Sequence, residues 1–278
     1  YDLLAQRFPS VAAVDARLAR LAFLRGDPAG ARDRAARAST EARNEGAFGP
    51  GLAWYAHLEA QVALDRGDYE AAAAHEEEAL GAAPNYHISL AGLARARAAQ
   101  GRTAEAIAGY EYAIGVSPQP DYLSALGDLH ALAGDQGRAR DQYAAVEAIA
   151  TLAAANRQLY DRQLALFYAD HDLKSADAVA IAKASLDRRA DVYGHDAYAW
   201  ALLKSGAPAE ARASEERALA MGTPDARLWY HAGMISMALG EVDRARSELR
   251  RSLDISPNFD ALQAARARTA LASLVAAR

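Results

Sequence analysis

Three groupings of acid and histidine are the places where this chain's residue types could do chemistry: Asp128 with His130, Asp170 and Asp172 around His171, and His195 with Asp196. An imidazole beside a carboxylate can move a proton or begin a metal site. A zinc site, however, needs three or four ligands at defined distances with supporting outer partners, and no two histidines stand four residues apart as on a zinc-binding helix. The histidines are therefore read as interhelical packing groups, His130 above all. There is no Gly-x-Ser-x-Gly elbow, no phosphate-binding glycine loop and no cysteine, so thiolate catalysis, zinc fingers and disulfides are excluded. The expectation is no catalytic residue, no metal and no cofactor: the chain is read as not an enzyme.

Composition narrows the partners. The 278 residues are 52% hydrophobic and 24% charged, with a formal net charge of −5, so no global basic field recruits nucleic acid or anionic lipid. Arginines gather in 32–37 and 244–251, interleaved with acids or alanines, which reads as solvated helix faces. No apolar run is long enough to span a bilayer, so no direct membrane insertion is expected.

The elements that must position any site announce themselves by a period. Five residues after Gly26, Gly67, Gly101, Gly134, Gly206 and Gly240 stands Ala31, Ala72, Ala106, Ala139, Ala211 and Ala245. From Gly67 on, these glycines lie 34, 33, 72 and 34 residues apart. That spacing marks a solenoid. With the turn glycine numbered 15, units begin near 12, 53, 87, 120, 158, 192 and 226. Position 8 is then always small: Ala19, Ala60, Ala94, Gly127, Ala165, Ala199 and Gly233. Position 27 is small too (Ala38, Ala79, Ala113, Val146, Ser185, Ala218, Ser252), while position 24 carries Tyr110, Tyr143 and Leu249. Small residues at 8, 20 and 27 let two helix axes approach, and the larger ones fill the remaining space. Glycine at 15 ends the first helix in the left-handed conformation. Pro84, Pro118 and Pro257 stop the second, and Asp121 and Asp225 stand as N-caps of the next first helix.

This pattern resembles the tetratricopeptide repeat, most cleanly in 87–120 (Leu90, Leu93, Ala94, Gly101, Ala106, Tyr110, Ala113, Pro118) and in 226–258 (Trp229, Ala232, Gly233, Gly240, Ala245, Pro257). The resemblance implies an all-α, right-handed superhelical α-solenoid of about seven helix-turn-helix repeats over 12–259. Residues 260–278 form a C-terminal capping helix, with Leu262, Ala265, Leu271 and Leu274 on one side. Residues 1–11 read as the end of a preceding, truncated repeat, because Tyr1, Leu4 and Pro9 fall at positions 24, 27 and 32; an atypical cap is the other reading. Residues 44–52 form an inserted loop, the second helix of the fourth unit runs on to Asn156, and the fifth unit is degenerate, with Asp170-His171-Asp172 in place of the glycine turn.

In such arrays positions 2, 5, 9 and 12 of the first helices line a concave groove. The resemblance thus assigns partner binding to Trp54, His57, Gln61, Arg95, Asp128, Arg162, Tyr193, Asp196, Trp200, Arg227, Tyr230 and Met234, with Leu159 also in the lining, densest over the fifth to seventh units. Aromatics with arginines are the composition of binding hot spots, although Trp54 and Trp200 fit packing between repeats equally well. The Lys and Asn clamp that grips peptide carboxylates in chaperone adaptors is missing from positions 5 and 9 of every unit. Two functional readings stand. One is a non-enzymatic scaffold binding a protein or peptide in the groove. The other is the repeat portion of a larger effector: a repeat-fused transferase, a secretion or maturation factor, or a peptide-sensing regulator. Similarity to poorly characterised bacterial repeat proteins, through 126–129 and 230–235, suggests a bacterial protein that is cytoplasmic or, with an upstream signal peptide removed, exported.

Overall fold

The computed structural model describes residues 2–8, 11–155 and 161–276. Tyr1, Pro9, the start of the fifth unit near 158, Leu159 and Asn156 lie outside the described residues. Among those described there are sixteen helices. A short α1 (Asp2–Arg7) precedes the hairpins α2 (Ala12–Leu24) with α3 (Pro28–Asn44), α4 (Gly49–Asp65) with α5 (Tyr69–Ala82), and α6 (His87–Ala99) with α7 (Thr103–Val116). Then come α8 (Pro120–Leu132) with α9 (Gln136–Ala155), α10 (Asp161–Asp170) with α11 (Ser175–Arg188), α12 (Val192–Lys204) with α13 (Pro208–Leu219), and α14 (Ala226–Ala238) with α15 (Val242–Ile255). The helix α16 (Gln263–Ala276) ends the chain. This is an all-α array of helix-turn-helix repeats. It divides into two compact units, residues 1–118 with 222–224, and residues 119–221 with 225–278.

Three of the hairpin turns are made by a glycine and an aspartate with separate tasks. All six turn glycines hold positive φ, from 75° at Gly67 and Gly240 to 86° at Gly206, a conformation that costs a residue with a Cβ. The aspartate that follows three of them caps the second helix: Asp27 accepts from Gly30 N at 2.8 Å, Asp68 from Ala71 N at 3.1 Å and Asp135 from Arg138 N at 3.0 Å. Three second helices end where a proline approaches. Ala83, Ser117 and Ser256, each just before one, are extended with ψ of 91°, 104° and 100°, as the clash with the proline ring demands.

Close packing of each pair rests on the small residues. Ala19, Ala60, Ala94, Ala165 and Ala199 are buried, as are the alanines five residues after each turn glycine. Where position 8 is glycine the approach is tighter still: a Cβ on Gly127 would lie 2.4 Å from Cε1 of Tyr143, and one on Gly233 2.6 Å from Cγ of Leu249.

Several local expectations need correction. Asp225 does cap α14, accepting from Arg227 N at 2.9 Å, but α8 starts at Pro120 with Gln119 as its cap residue, which places Asp121 inside the first turn. Proline suits that first position because its missing N–H would have no helical partner. For the same reason Pro50 and Gly51 belong to α4, and the expected loop over 44–52 shrinks to the four residues before Gly49. The last helix starts at Gln263, three residues later than expected, because the Asp260 side chain accepts from the N–H groups of Leu262 and Gln263. Its buried stripe is Ala264, Ala267, Ala270 and Leu274, and Ala265 faces solvent.

Candidate functional site

In the first unit a cavity of about 250 Å³ lies between α2 and α4. Ala19, Phe23, Leu58 and Val62 supply apolar wall, and Trp54 stands at its edge, 41% exposed and packed edge-on against Tyr55 at 4.9 Å. Arg20, His57, Gln61 and Asp65 add polar groups, and the Arg20 guanidinium lies over the Phe23 ring at 5.7 Å. The helical spacing does this: Trp54, His57, Leu58 and Gln61 share one face of α4, and Ala19, Arg20 and Phe23 one face of α2.

The orientation of His57 comes from the second helix of its hairpin. Its Nδ1 lies 2.8 Å from Oε1 of Glu76, a buried carboxylate on α5. Burial raises the Glu76 pKa above the ordinary carboxylate value, and the hydrogen bond and charge of His57 offset part of that rise. Glu76 takes this orientation beside Gly92, where a Cβ would meet Oε1 at 1.9 Å and push the carboxylate aside. Neither was anticipated, although a signal existed. Glu76 stands at position 24, where neighbouring repeats place Tyr110 and Tyr143, and a carboxylate at a packing position needs a partner.

Of the residues assigned to partner binding, Trp54, His57 and Gln61 meet in this cavity, while Arg95 is half-buried on α6 away from it. The others lie in the second unit and are engaged there. Asp128 accepts from the Tyr143 hydroxyl at 2.8 Å and lies 2.7 Å from Nε2 of His171. Arg162 donates to Asp191 at 3.1 Å and lies over the Tyr193 ring at 5.8 Å. Asp196 is buried with its Oδ1 2.6 Å from Nδ1 of His231. Trp200, 1% exposed, stacks on His231 at 4.1 Å and donates Nε1–H to Asp170 at 2.8 Å. Tyr230 is 1% exposed, Met234 packs against the same core, and Arg227 lies 3.9 Å from Asp260. Asp196, Trp200 and Tyr230 therefore do not face a groove in this structure. In this unit α12 packs against both α10 and α14, so positions 5 and 9 point into the neighbouring helix. Trp200 and Tyr230 wedge successive hairpins together.

The acid–histidine groupings re-pair across repeats. Asp128 meets His171 and Asp196 meets His231, while His130 is buried and His195 Nδ1 lies 3.4 Å from the Ser214 hydroxyl. Among the described residues no group of three or more histidines and acids is placed to hold a metal ion.

Known proteins share this fold of helical hairpins. Residues 57–119 and 197–258 match the tetratricopeptide repeat family model. Those two stretches carry tetratricopeptide repeats. No curated protein matches it in sequence. A tetratricopeptide repeat protein from Parabacteroides merdae superposes with a TM-score of 0.51 at 16% identity, over 95% of this chain and 98% of that one. A chain of the APC/C hetero-tetramer Cut9–Hcn1 superposes at 0.57 with 14% identity, over 93% of this chain and 48% of the other. At these identities the likeness is one of fold. Among the described residues, no helix of the tetratricopeptide array is long and apolar enough to cross a membrane.

Proposed function

We propose that this chain is a non-enzymatic scaffold that binds a protein or peptide, and that the cavity between α2 and α4 receives one apolar side chain of that ligand. The observation that carries the reading is the half-exposed Trp54 at the edge of an apolar cavity with hydrogen-bonding groups beside it. A large aromatic surface left open next to a pocket is what binding hot spots look like. The volume suits a side chain, and is below the range usual for a drug-sized ligand or cofactor. One arginine and one aspartate among the lining residues balance in charge, which favours a neutral peptide backbone over a strongly charged ligand. With Nδ1 held by Glu76, His57 offers Nε2 as its group for such a backbone. The tetratricopeptide fold supports the reading further, since a chain of similar fold is part of the Cut9–Hcn1 hetero-tetramer.

Peptides selected from a random library on the intact chain test this. Their amide-exchange footprint should fall on α2 and α4, with a shared apolar anchor among the selected sequences. Protection confined to other helices would overturn the proposal.

A further inference from the structure

A cap at the end of a helical array has only to cover the last hairpin, here α14 with α15. In this chain the residues around the start of α16 do more. The buried Phe259 ring meets Tyr230 at 5.7 Å, and the carboxylate of Asp260 stands 3.9 Å from Arg227 while capping its own helix. Gln263 Nε2 donates to Oδ1 of Asp170, and Arg266 donates to the Asp170 carbonyl at 3.1 Å, contacts that reach back 93 and 96 residues to the end of α10. Asp170 in turn accepts from Trp200. Segment 259–266 thus sits on Arg227, Tyr230 and Asp170, and its contacts include two of the residues that resemblance assigns to partner binding. The fit is incomplete: Gln263 Oε1 is buried with no hydrogen-bond partner among the described residues, which leaves a desolvated acceptor under the segment.

We propose that segment 259–266 is a built-in ligand of this face of the second unit, and that the face accepts, when the segment lifts, a partner peptide of the same chemistry. That partner is a short helix opening on an aromatic residue and an acid that caps it, with an amide donor at the third position after the acid. The surface is distinct from the cavity between α2 and α4, and the inference does not depend on it. Ser256, Pro257 and Asn258 join the segment to α15, on which the rest of α16 also packs, so its effective concentration is of order millimolar or more. A free peptide at micromolar concentration is therefore outcompeted in the native chain.

A fluorescein-labelled peptide of residues 256–269 is the probe, titrated against the full chain, the Phe259→Ala/Gln263→Ala double variant, and that variant with Arg227→Ala added. The double variant should bind the peptide about tenfold or more tighter than the native chain, because the competing segment is weakened. Adding Arg227→Ala should remove most of that gain, and a scrambled peptide should show none. Equal binding by the native and double-variant chains, or equal binding of the scrambled peptide, overturns the proposal. So does hydrogen exchange in which α10, α12 and α14 of the double variant lose protection together with α16, which would make the segment an integral part of the core.

Discussion

His171 shows what a single residue reports about this fold. Its Nε2 lies 2.7 Å from a carboxylate oxygen of Asp128 and its Nδ1 2.7 Å from the Phe167 carbonyl, both acceptors, an arrangement that favours the doubly protonated ring. Burial by itself would lower its pKa. The hydrogen bond and charge of Asp128, the Phe167 carbonyl and the nearby Asp170 outweigh that and raise it. Tyr143, whose hydroxyl donates to the same Asp128 oxygen, packs tilted against the ring at 4.5 Å. Glu215 acts in the same direction. It is fully buried on α13 with both oxygens unpartnered among the described residues, and burial, then the charge of Asp196, push its pKa well up. For both groups the folded-state pKa exceeds the unfolded one. Their contribution is complete below the unfolded value and is lost as pH rises through the folded one. The urea midpoint should therefore fall as pH rises above the unfolded carboxylate value of about 4.3, and Glu215→Gln should flatten that fall. In NMR titration His171 should lose its proton above the ordinary imidazole value of about 6.5, and Asp128→Asn should bring it down. A midpoint that rises with pH, or a His171 titrating below the ordinary value, would contradict this assignment.

At the scale of the element, the fifth hairpin differs from the rest in its turn. Where the other six place a glycine at positive φ, the segment between α10 and α11 has Asp172 at φ 55° and Lys174 at φ 40°. Aspartate tolerates this region; lysine lacks the short polar side chain that can bond its own backbone there. The turn persists because its neighbours hold it, His171 through Asp128, and Asp172 and Lys174 through ion pairs to Lys204 and Glu147. Lys174→Gly and Lys174→Ala both lose the Glu147 pair, so their difference isolates the backbone. The glycine variant should be the more stable by about 1 kcal/mol in urea denaturation. Equal stabilities would mean that the left-handed conformation is not strained. In the sequence this turn was legible as an irregularity, since a glycine is missing. Its conformation was not, because the groups that hold it come from other repeats.

At the scale of the whole molecule, the period was enough to read the all-α class, the hairpins and the turn glycines, because a left-handed turn and a close helix crossing each restrict residue type. The candidate site was legible only in part. Trp54, His57 and Gln61 lie on one helix, so a single phase assignment brings them together. Glu76 and Gly92 complete their surroundings from other helices, which no single-helix periodicity reports. Trp200 and Tyr230 stand at positions 9 and 5, where the first unit has the cavity-lining Gln61 and His57. Whether such a position faces a cavity or a neighbouring helix depends on how closely the first helices pack, and local sequence does not encode that spacing.

The alanine variants of the two tryptophans at corresponding faces test the central claim most directly. A library-selected peptide ligand and thermal melting, measured on Trp54→Ala and Trp200→Ala, separate binding from packing. Trp54→Ala should melt close to the native chain but lose about tenfold or more in peptide affinity. Trp200→Ala should lose about 3–5 kcal/mol of stability, the usual consequence of emptying a buried aromatic site. Native-like peptide affinity in Trp54→Ala, or native-like stability in Trp200→Ala, would contradict that claim.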